Sequence, residues 1–158
     1  MRSLMTIPNP VLYQVALPVK EINACLRTLI EDMTQILIMH IGVGIAAPQA
    51  GESLRLFLYQ KLSGDICTVI NPVLEAQAEQ IQSGEEGCLS IPGIIATIER
   101  PVWAVVSGLN AHGKKIRFRV SGKEARVVLH EIDHLDGILI IDKATADSIR
   151  LREEKHFE

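Results

Sequence analysis

The sequence is short of cysteine, of long apolar runs and of excess positive charge, and each shortage argues against a class of protein. Three cysteines with no CxxC spacing do not make a disulfide framework. They indicate a reduced, cytosolic chain in which any one thiol is free to bind a metal. The apolar runs are short and interrupted by polar residues, so no membrane-spanning segment is expected. The first eight residues lack the apolar core of a secretory signal.

The charges are nearly balanced, with sixteen Lys and Arg against nineteen Asp and Glu and a net charge of −3. Neither half of the chain is a basic arm, so direct binding of nucleic acid is not expected. Hydrophobic residues make up 47% of the chain, which suits a folded core and argues against disorder. A length of 158 residues predicts a single domain spanning 1–158.

The spacing of apolar residues in the first two thirds of the chain predicts one helix and several strands. Apolar residues recur at helical spacing between positions 19 and 40, and Cys25 is expected to be buried on the same face. Asn71-Pro72 is expected to end a strand, because proline cannot donate to a sheet. The predicted strands cover 54–59, 66–70, 94–98, 102–106 and the alternating run around 116–120.

A second long helix is expected to begin at Ser121, with Ser121 and Glu124 forming a capping box, and to end near Gly137. Its apolar residues cluster on one side, next to the edge that carries His130 and His134. The predicted fold class is therefore α+β, with antiparallel or mixed sheets wrapped around a central helix. The charged residues 143–158, which include His156, suit a short surface helix.

The sequence His130-Glu131-Ile132-Asp133-His134 is an H-E-x-x-H pattern. Helical positions i and i+4 share a face, so both imidazoles can bind one metal ion. Glu131 is rotated by roughly 100° from His130. It can therefore reach a water bound to that ion without completing the ligand pair. A third ligand and an electrophile-activating group are needed elsewhere before the pattern defines a site.

Cys88 is the best candidate for the third ligand. It is expected in an exposed loop flanked by glycines and carboxylates, Gly84-Glu85-Glu86-Gly87-Cys88, whereas the other two cysteines lie in apolar runs. Such a position favours a thiolate ligand. A nucleophilic thiol and a loop thiol without a task are the alternatives.

The stretch from Gly42 to Gly51 contains two glycines at alternate positions and Gln49 directly after Pro48. The glycines indicate unusual backbone angles or a close approach of the backbone to another group. Phosphate binding is the weaker interpretation, because no Lys-Ser/Thr pair follows and no third glycine completes a dinucleotide-binding fingerprint. Gln49 can cap a turn or donate to an oxyanion, and taken alone the turn cap is favoured.

Taken together, these stretches can build one hydrolytic site. His130, His134 and Cys88 supply three metal ligands and leave a fourth position for water. Glu131 can take the proton of that water, and Gln49 can donate to the oxyanion formed on an attacked carbonyl. The chemistry that these residues support is metal-assisted hydrolysis of an amide-like bond.

The sequence resembles the peptide deformylase family. The resemblance rests on three motifs in order: Gly42 to Gln49 (GVGIAAPQ), Glu86 to Ser90 (EGCLS) and His130 to Leu135 (HEIDHL). The segments NPVL at 9–12, ALPV at 16–19 and INP at 70–72 also resemble that family, so the likeness extends over nearly the whole chain. One departure is Leu129, where the family often has Gln, and it is expected to affect packing rather than the metal.

The resemblance implies removal of the formyl group from the N-terminal formyl-methionine of nascent bacterial or organellar polypeptides. It implies that Cys88, His130 and His134 hold one divalent metal, Fe(II) in the cell, with Zn(II), Ni(II) or Co(II) able to occupy the site. Glu131 would be the general base and acid. Gln49 and the Leu89 backbone N–H would stabilise the oxyanion.

The resemblance also implies where the substrate binds. The peptide is expected to add as a strand beside Gly44 and Gly87, next to Glu86. The methionine side chain would enter a pocket lined by Val43, Val127 and the aliphatic stem of Arg126. Three alternatives from other classes stay open at this point: an H-E-x-x-H zinc endopeptidase, a non-catalytic module that binds nascent peptides, and a redox-sensing thiol protein that uses Cys88.

Overall fold

A computed structural model describes residues 1–153, which form two antiparallel sheets and three α-helices. The five-stranded sheet has the order β1-β2-β3-β6-β7 and the three-stranded sheet the order β4-β5-β8. Every pairing of these strands is antiparallel. The mixed α+β fold with antiparallel sheets was correctly predicted. The elements are β1 (Gly44–Ala46), β2 (Leu56–Gln60), β3 (Ile66–Gln77), β4 (Ile81–Cys88), β5 (Ile91–Pro101), β6 (Trp103–Leu109), β7 (Lys115–Ser121), β8 (Arg150–Leu151), α1 (Ala24–Met39), α2 (Gly122–Leu135) and α3 (Ile140–Lys143).

Helix α1 begins later than predicted because Asn23 caps it. The Asn23 side chain accepts a hydrogen bond from the Leu26 N–H at 3.0 Å, which satisfies one of the free donors at a helix start. Cys25 is exposed, so its predicted burial was wrong. It lies in the first turn, roughly 100° around the axis from the buried Leu26, at the margin of the apolar stripe.

Asn71-Pro72 does not end a strand, contrary to the prediction. Strand β3 continues to Gln77, and its register with β6 shifts between Ile70 and Val73. Asn71 adopts a φ of +50°, and its side chain bonds both backbone groups of Val19 at 2.8 Å. The proline is tolerated because it lies at a bulge, where the ladder is already interrupted.

Helix α2 begins after Ser121 as predicted, but the capping box is not formed. Ser121 still belongs to β7 and its side chain makes no capping hydrogen bond. The Glu124 carboxylate instead accepts a hydrogen bond from the Leu62 N–H at 2.9 Å. The helix is therefore fixed by strand pairing before it and by a loop contact beside it.

The segment after α2 is not a surface helix within the described residues. It forms α3, a 3-10 turn at Ala146–Ser148 and β8, which pairs with Ile94 and Ile95 of β5. The partly buried Ile149 packs into an apolar cluster with α3 and β5, and this burial favours the extended path. Residues 154–158, including His156, lie outside the described residues.

Helix α2 lies where the two sheets come near each other. It contacts β1, β2 and β6 of the larger sheet and β5 of the smaller one. Its buried residues Val128, Leu129 and Leu135 pack with Phe57, Val69 and Val106 of the larger sheet. Leu129 is therefore a packing residue, as expected. No helix within residues 1–153 combines the length and apolar character that crossing a membrane requires.

Candidate active site

The three predicted metal ligands come together in the structure. One ligand atom each from Cys88, His130 and His134 lies within 4.8 Å of the others. His130 Nε2 is 3.1 Å from His134 Nε2, which in turn is 3.3 Å from Cys88 Sγ. Ligands around one tetrahedral ion stand about 3.3–3.8 Å apart, given metal–nitrogen and metal–sulfur distances of about 2.0–2.3 Å. The group therefore fits a first-row divalent metal.

Local structure aims each ligand at the same point. His130 and His134 are one turn apart on α2, as the spacing predicted. His130 Nδ1 bonds Glu86 Oε1 at 2.9 Å, which turns Nε2 towards His134. The predicted loop at Cys88 was wrong: Cys88 is the last residue of β4, and the register with β5 shifts between Gly87 and Cys88. Such a bulge redirects a side chain, here towards α2.

Glu86 lies at the centre of a buried group of charges. Both of its oxygens accept from Arg100, at 2.8 and 2.9 Å, and Oε2 also accepts from Arg126 at 2.8 Å. Arg100 further donates to Asp133 at 2.5 Å. Burial alone would raise the pKa of Glu86, but the hydrogen bonds from Arg100 and His130 hold it well below its usual range. Glu86 is therefore an anion that orients His130, one of the three candidate metal ligands.

Arg100 and Asp133 were missed as site residues. Arg100 is 3% exposed, and a buried guanidinium needs carboxylate partners. The partners are far apart in the sequence, so no local spacing pointed to them. The one available signal was Asp133, a carboxylate placed inside the H-E-x-x-H stretch.

Glu131 is buried beside the ligand group. Its Oε2 has no hydrogen-bond partner in the described part of the chain. Burial raises the pKa of Glu131 to about 7, although His130 and Arg100 oppose the shift. A carboxylate with a free oxygen and a pKa near neutrality suits a general base.

The two alternate glycines are explained by close approaches. A Cβ on Gly44 would lie 2.6 Å from Glu131 Oε1, and one on Gly42 would lie 2.9 Å from the Leu89 side chain. Both distances are too short for a real side chain. The glycines therefore let the backbone of this segment pack directly against Glu131 and Leu89. This agrees with the expectation that the backbone approaches another group closely.

Gln49 forms the turn cap, the first of the two roles considered for it. Its Oε1 accepts from the Ala46 N–H at 2.9 Å and so caps the 3-10 turn Ala47–Ala50. Its Nε2 donates to Ser90 Oγ at 3.0 Å and lies 3.7 Å from Cys88 Sγ. The amide is thus fixed by the turn, with its donor end directed at the ligand group.

The predicted substrate contacts line one open cleft of about 870 Å³. Arg126 has its guanidinium committed to Glu86, Ile98 O and Gln82 O, so its stem is what remains for the cleft. The cleft lies between β1 and β4, which are edge strands of the two sheets. It is lined by Val43, Gly44, Glu86, Gly87, Arg126 and Val127 together with Gln49, Cys88, Leu89, His130 and Glu131.

A Cys-His-His group beside a buried glutamate, on an antiparallel α+β scaffold, is typical of metal-dependent hydrolases. Comparison with known proteins narrows the class. The polypeptide deformylase family model matches residues 1–149, and the chain belongs to this family. Its members are metalloenzymes that remove N-formyl groups from nascent polypeptides, so the endopeptidase and binding-module alternatives are not favoured.

Individual relatives support the assignment. The chain is 42% identical to a peptide deformylase of Parafrankia sp. over 149 residues, which is 94% of this chain and 81% of the relative. It is also 42% identical to a peptide deformylase of Syntrophomonas wolfei over 141 residues, which is 89% of this chain and 91% of the relative. Its fold is similar to the peptide deformylase structure from Thermotoga maritima, with a TM-score of 0.88 and 37% identity. The match covers 92% of this chain and 98% of that one. The structure of a peptide deformylase from Synechococcus elongatus, solved in complex with actinonin, is also similar. Its TM-score is 0.87 and its sequence identity 36%, and the match covers 91% of this chain and 79% of that one.

Proposed function

We propose that this chain removes the formyl group from the N-terminal formyl-methionine of newly made polypeptides, with Glu131 moving the proton. The observation that carries the proposal is the buried Glu131 carboxylate beside Cys88, His130 and His134, with Oε2 unpartnered among residues 1–153. That arrangement places a base of raised pKa next to a metal-binding group.

Cys88, His130 and His134 hold one divalent ion, Fe(II) in the cell and Zn(II), Ni(II) or Co(II) as possible replacements. The distances among their ligand atoms and the mixed sulfur and nitrogen donors support this set. When bound, the ion supplies Lewis-acid chemistry: it lowers the pKa of water and polarises the formyl carbonyl. Glu86 keeps His130 in the tautomer that offers Nε2 to the ion.

Glu131 accepts the proton of the attacking water and returns it to the leaving amine. Its burial supports both steps, because a base with a pKa near neutrality exchanges protons readily at physiological pH. Gln49 Nε2 and the Leu89 backbone N–H donate to the oxyanion that forms on the formyl carbon. The turn that fixes the Gln49 amide keeps this donor in place before the substrate arrives.

The substrate peptide adds as a strand in the cleft between the β1 and β4 edges, beside Gly44 and Gly87. Backbone groups on edge strands are free to pair with an extended peptide. The methionine side chain enters the pocket of Val43, Val127 and the Arg126 stem. Glu86 borders this cleft, but its bonds to two arginines and His130 give it a positioning role.

Residues 1–158 form a single catalytic domain that acts in the bacterial cytoplasm, with an organelle as the alternative. The family match over residues 1–149 supports one domain. Helix α2 is the central element of this domain, and its contacts with strands of both sheets support that place. The substrate is a nascent formylated peptide, and no nucleic acid or membrane takes part.

The test is formate release from formyl-Met-Ala-Ser by protein prepared anaerobically with Fe(II). The parent protein is expected to turn over this peptide but not Ac-Met-Ala-Ser. Glu131→Ala is expected to keep the metal and to lose most of the turnover, by about 10²-fold or more. Parent-level turnover by Glu131→Ala would show that Glu131 is not the proton carrier.

A further inference from the structure

Arg152 reaches into the substrate cleft from the far side of the smaller sheet. It follows β8 and lines the same cleft as Gly87 and Cys88. A Cβ on Gly87 would lie 2.9 Å from Arg152 Nη2 and 3.9 Å from its Cζ. The guanidinium thus occupies the space that a side chain at position 87 would fill, one residue from a proposed metal ligand.

Backbone bonds hold Arg152 in this position. The Arg152 N–H donates to Gly93 O at 2.8 Å, and the preceding residues Arg150 and Leu151 pair with Ile95 and Ile94. The residue is therefore anchored to β5 even though its side chain is exposed. An anchored backbone lowers the entropy that is lost when an arginine side chain binds a ligand.

The two carboxylates of β4 that line the same cleft, Glu85 and Glu86, are already engaged. Glu85 forms an ion pair with Arg150, and Glu86 is bonded by Arg100, Arg126 and His130. Within residues 1–153, no ion pair or side-chain hydrogen bond of Arg152 itself is formed. Its donors therefore face the cleft without an internal acceptor from the described residues.

We propose that Arg152 binds a carboxylate of the substrate peptide in the cleft beside Gly87. This inference rests on the proposed function and adds a substrate preference to it. The carboxylate belongs to an acidic side chain shortly after the formylated methionine, or to the C-terminus of a short peptide. A planar guanidinium binds either group through two parallel hydrogen bonds.

The length of an extended peptide supports the second or third residue as the position recognised. Residues in a strand are about 3.3 Å apart, and Gly87 is adjacent to Cys88. An arginine side chain over Gly87 therefore reaches the residues that directly follow the methionine. Arg152 acts on substrate choice and leaves the proton transfer by Glu131 unchanged.

Paired peptides test the proposal and separate the two sources of the carboxylate. The first pair is formyl-Met-Ala-Ser as the free acid and as the C-terminal amide. Two further pairs are amides that differ only by Asp or Asn at the second or at the third residue. We expect the parent enzyme to prefer the charged member of at least one pair by about fivefold in kcat/KM, and less at 0.5 M NaCl, because the interaction is exposed to salt.

Three variants show whether Arg152 causes the preference. Arg152→Gln is expected to bring the ratio to about one through KM, and Arg152→Lys to keep part of it, since lysine keeps the charge without the planar fork. Arg27→Gln is the charge-matched control, because Arg27 is exposed on α1 and does not line the cleft. It is expected to keep the parent ratio.

Three outcomes would overturn the proposal: no preference in the parent enzyme for any charged member, an unchanged preference in Arg152→Gln, or an equal loss in Arg27→Gln. Turnover of the neutral amides tests the deformylase chemistry separately. If the neutral amides are not deformylated, the proposed function fails. In that case the role of Arg152 is tested by the equilibrium dissociation constants of the same peptide pairs, compared between the parent protein and Arg152→Gln.

Discussion

Gly44 and Glu131 lie so close together that any side chain at position 44 would push against the Glu131 carboxylate. A Cβ there would stand 2.6 Å from Glu131 Oε1 and 3.0 Å from its carboxyl carbon, although 87 residues separate the two in the sequence. The backbone of β1 therefore forms one wall of the space that holds the proposed base. The Glu131 carboxylate can take this orientation because Gly44 has no side chain.

Replacing Gly44 with alanine is expected to displace the Glu131 carboxylate. Turnover should fall by about 10²-fold, because a shift of about 1 Å in a reacting group has an effect of that size. Formate release from formyl-Met-Ala-Ser measures the loss, and metal content should stay unchanged. Ile38→Ala is the control, because Ile38 is exposed on α1 and does not line the cleft, and it should keep the parent turnover and metal content.

A second variant shows whether the clash is the cause. Combining Gly44→Ala with Glu131→Asp shortens the carboxylate and relieves the contact. The double variant should then lose less than the product of the two single losses. Strictly multiplicative losses would mean that the two residues act independently.

Burial of Glu131 predicts how the stability of the metal-free protein depends on pH. The pKa of Glu131 is raised to about 7 in the fold, whereas an unfolded glutamate titrates near about 4.3. Between these values the folded state binds more protons than the unfolded state, so stability falls as pH rises through this window. Above pH 7 the ionised, buried Glu131 lowers the free energy of unfolding by up to about 4 kcal/mol.

Glu131→Gln removes this titration. Metal-free Glu131→Gln should therefore be more stable than the metal-free parent at pH 8, and the difference should shrink towards pH 5. Urea unfolding at the two pH values measures both. An equal difference at pH 5 and pH 8 would contradict a raised pKa for Glu131.

The sequence predicted the Cys88, His130 and His134 cluster better than the groups that position it. The spacing of His130 and His134 is set within one helical turn, and Cys88 stood out by its composition. Arg100 meets Glu86 and Asp133 only after the chain has folded, so no local sequence pattern predicts its role. Asn71 was misread for the same reason, because its bonds to Val19 cross 52 positions.

The Cys88 thiol is expected to be required for metal binding, in contrast to a redox-sensing role. Cys88→Ser should lose most of the bound metal, because a hydroxyl is a far poorer ligand than a thiolate for these ions. Cys25→Ser is the matched control, since Cys25 is an exposed cysteine on α1. Metal analysis after anaerobic purification distinguishes the variants.

Thiol titration gives an independent check on Cys88. Bound metal should protect it from a thiol reagent, while Cys25 reacts at the same rate with and without metal. Equal metal content in Cys88→Ser and the parent protein would exclude Cys88 as a ligand.

Glu86 is expected to act on the metal through His130 and on stability through Arg100. Glu86→Gln removes the charged acceptor of His130 Nδ1 and should weaken metal binding by about 10- to 100-fold. It also removes one of the two carboxylates that the buried Arg100 pairs with and leaves only Asp133. Breaking a buried ion pair on one side lowers stability by about 3–5 kcal/mol.

The neighbouring Glu85 separates these effects from a simple loss of charge. Glu85 is exposed and pairs with the exposed Arg150, so Glu85→Gln should change stability by less than about 1 kcal/mol and leave metal affinity unchanged. Competition with a chelator measures affinity, and urea unfolding measures stability. If Glu86→Gln and Glu85→Gln have the same metal affinity and the same stability, Glu86 has no special role in orienting His130 or in neutralising Arg100.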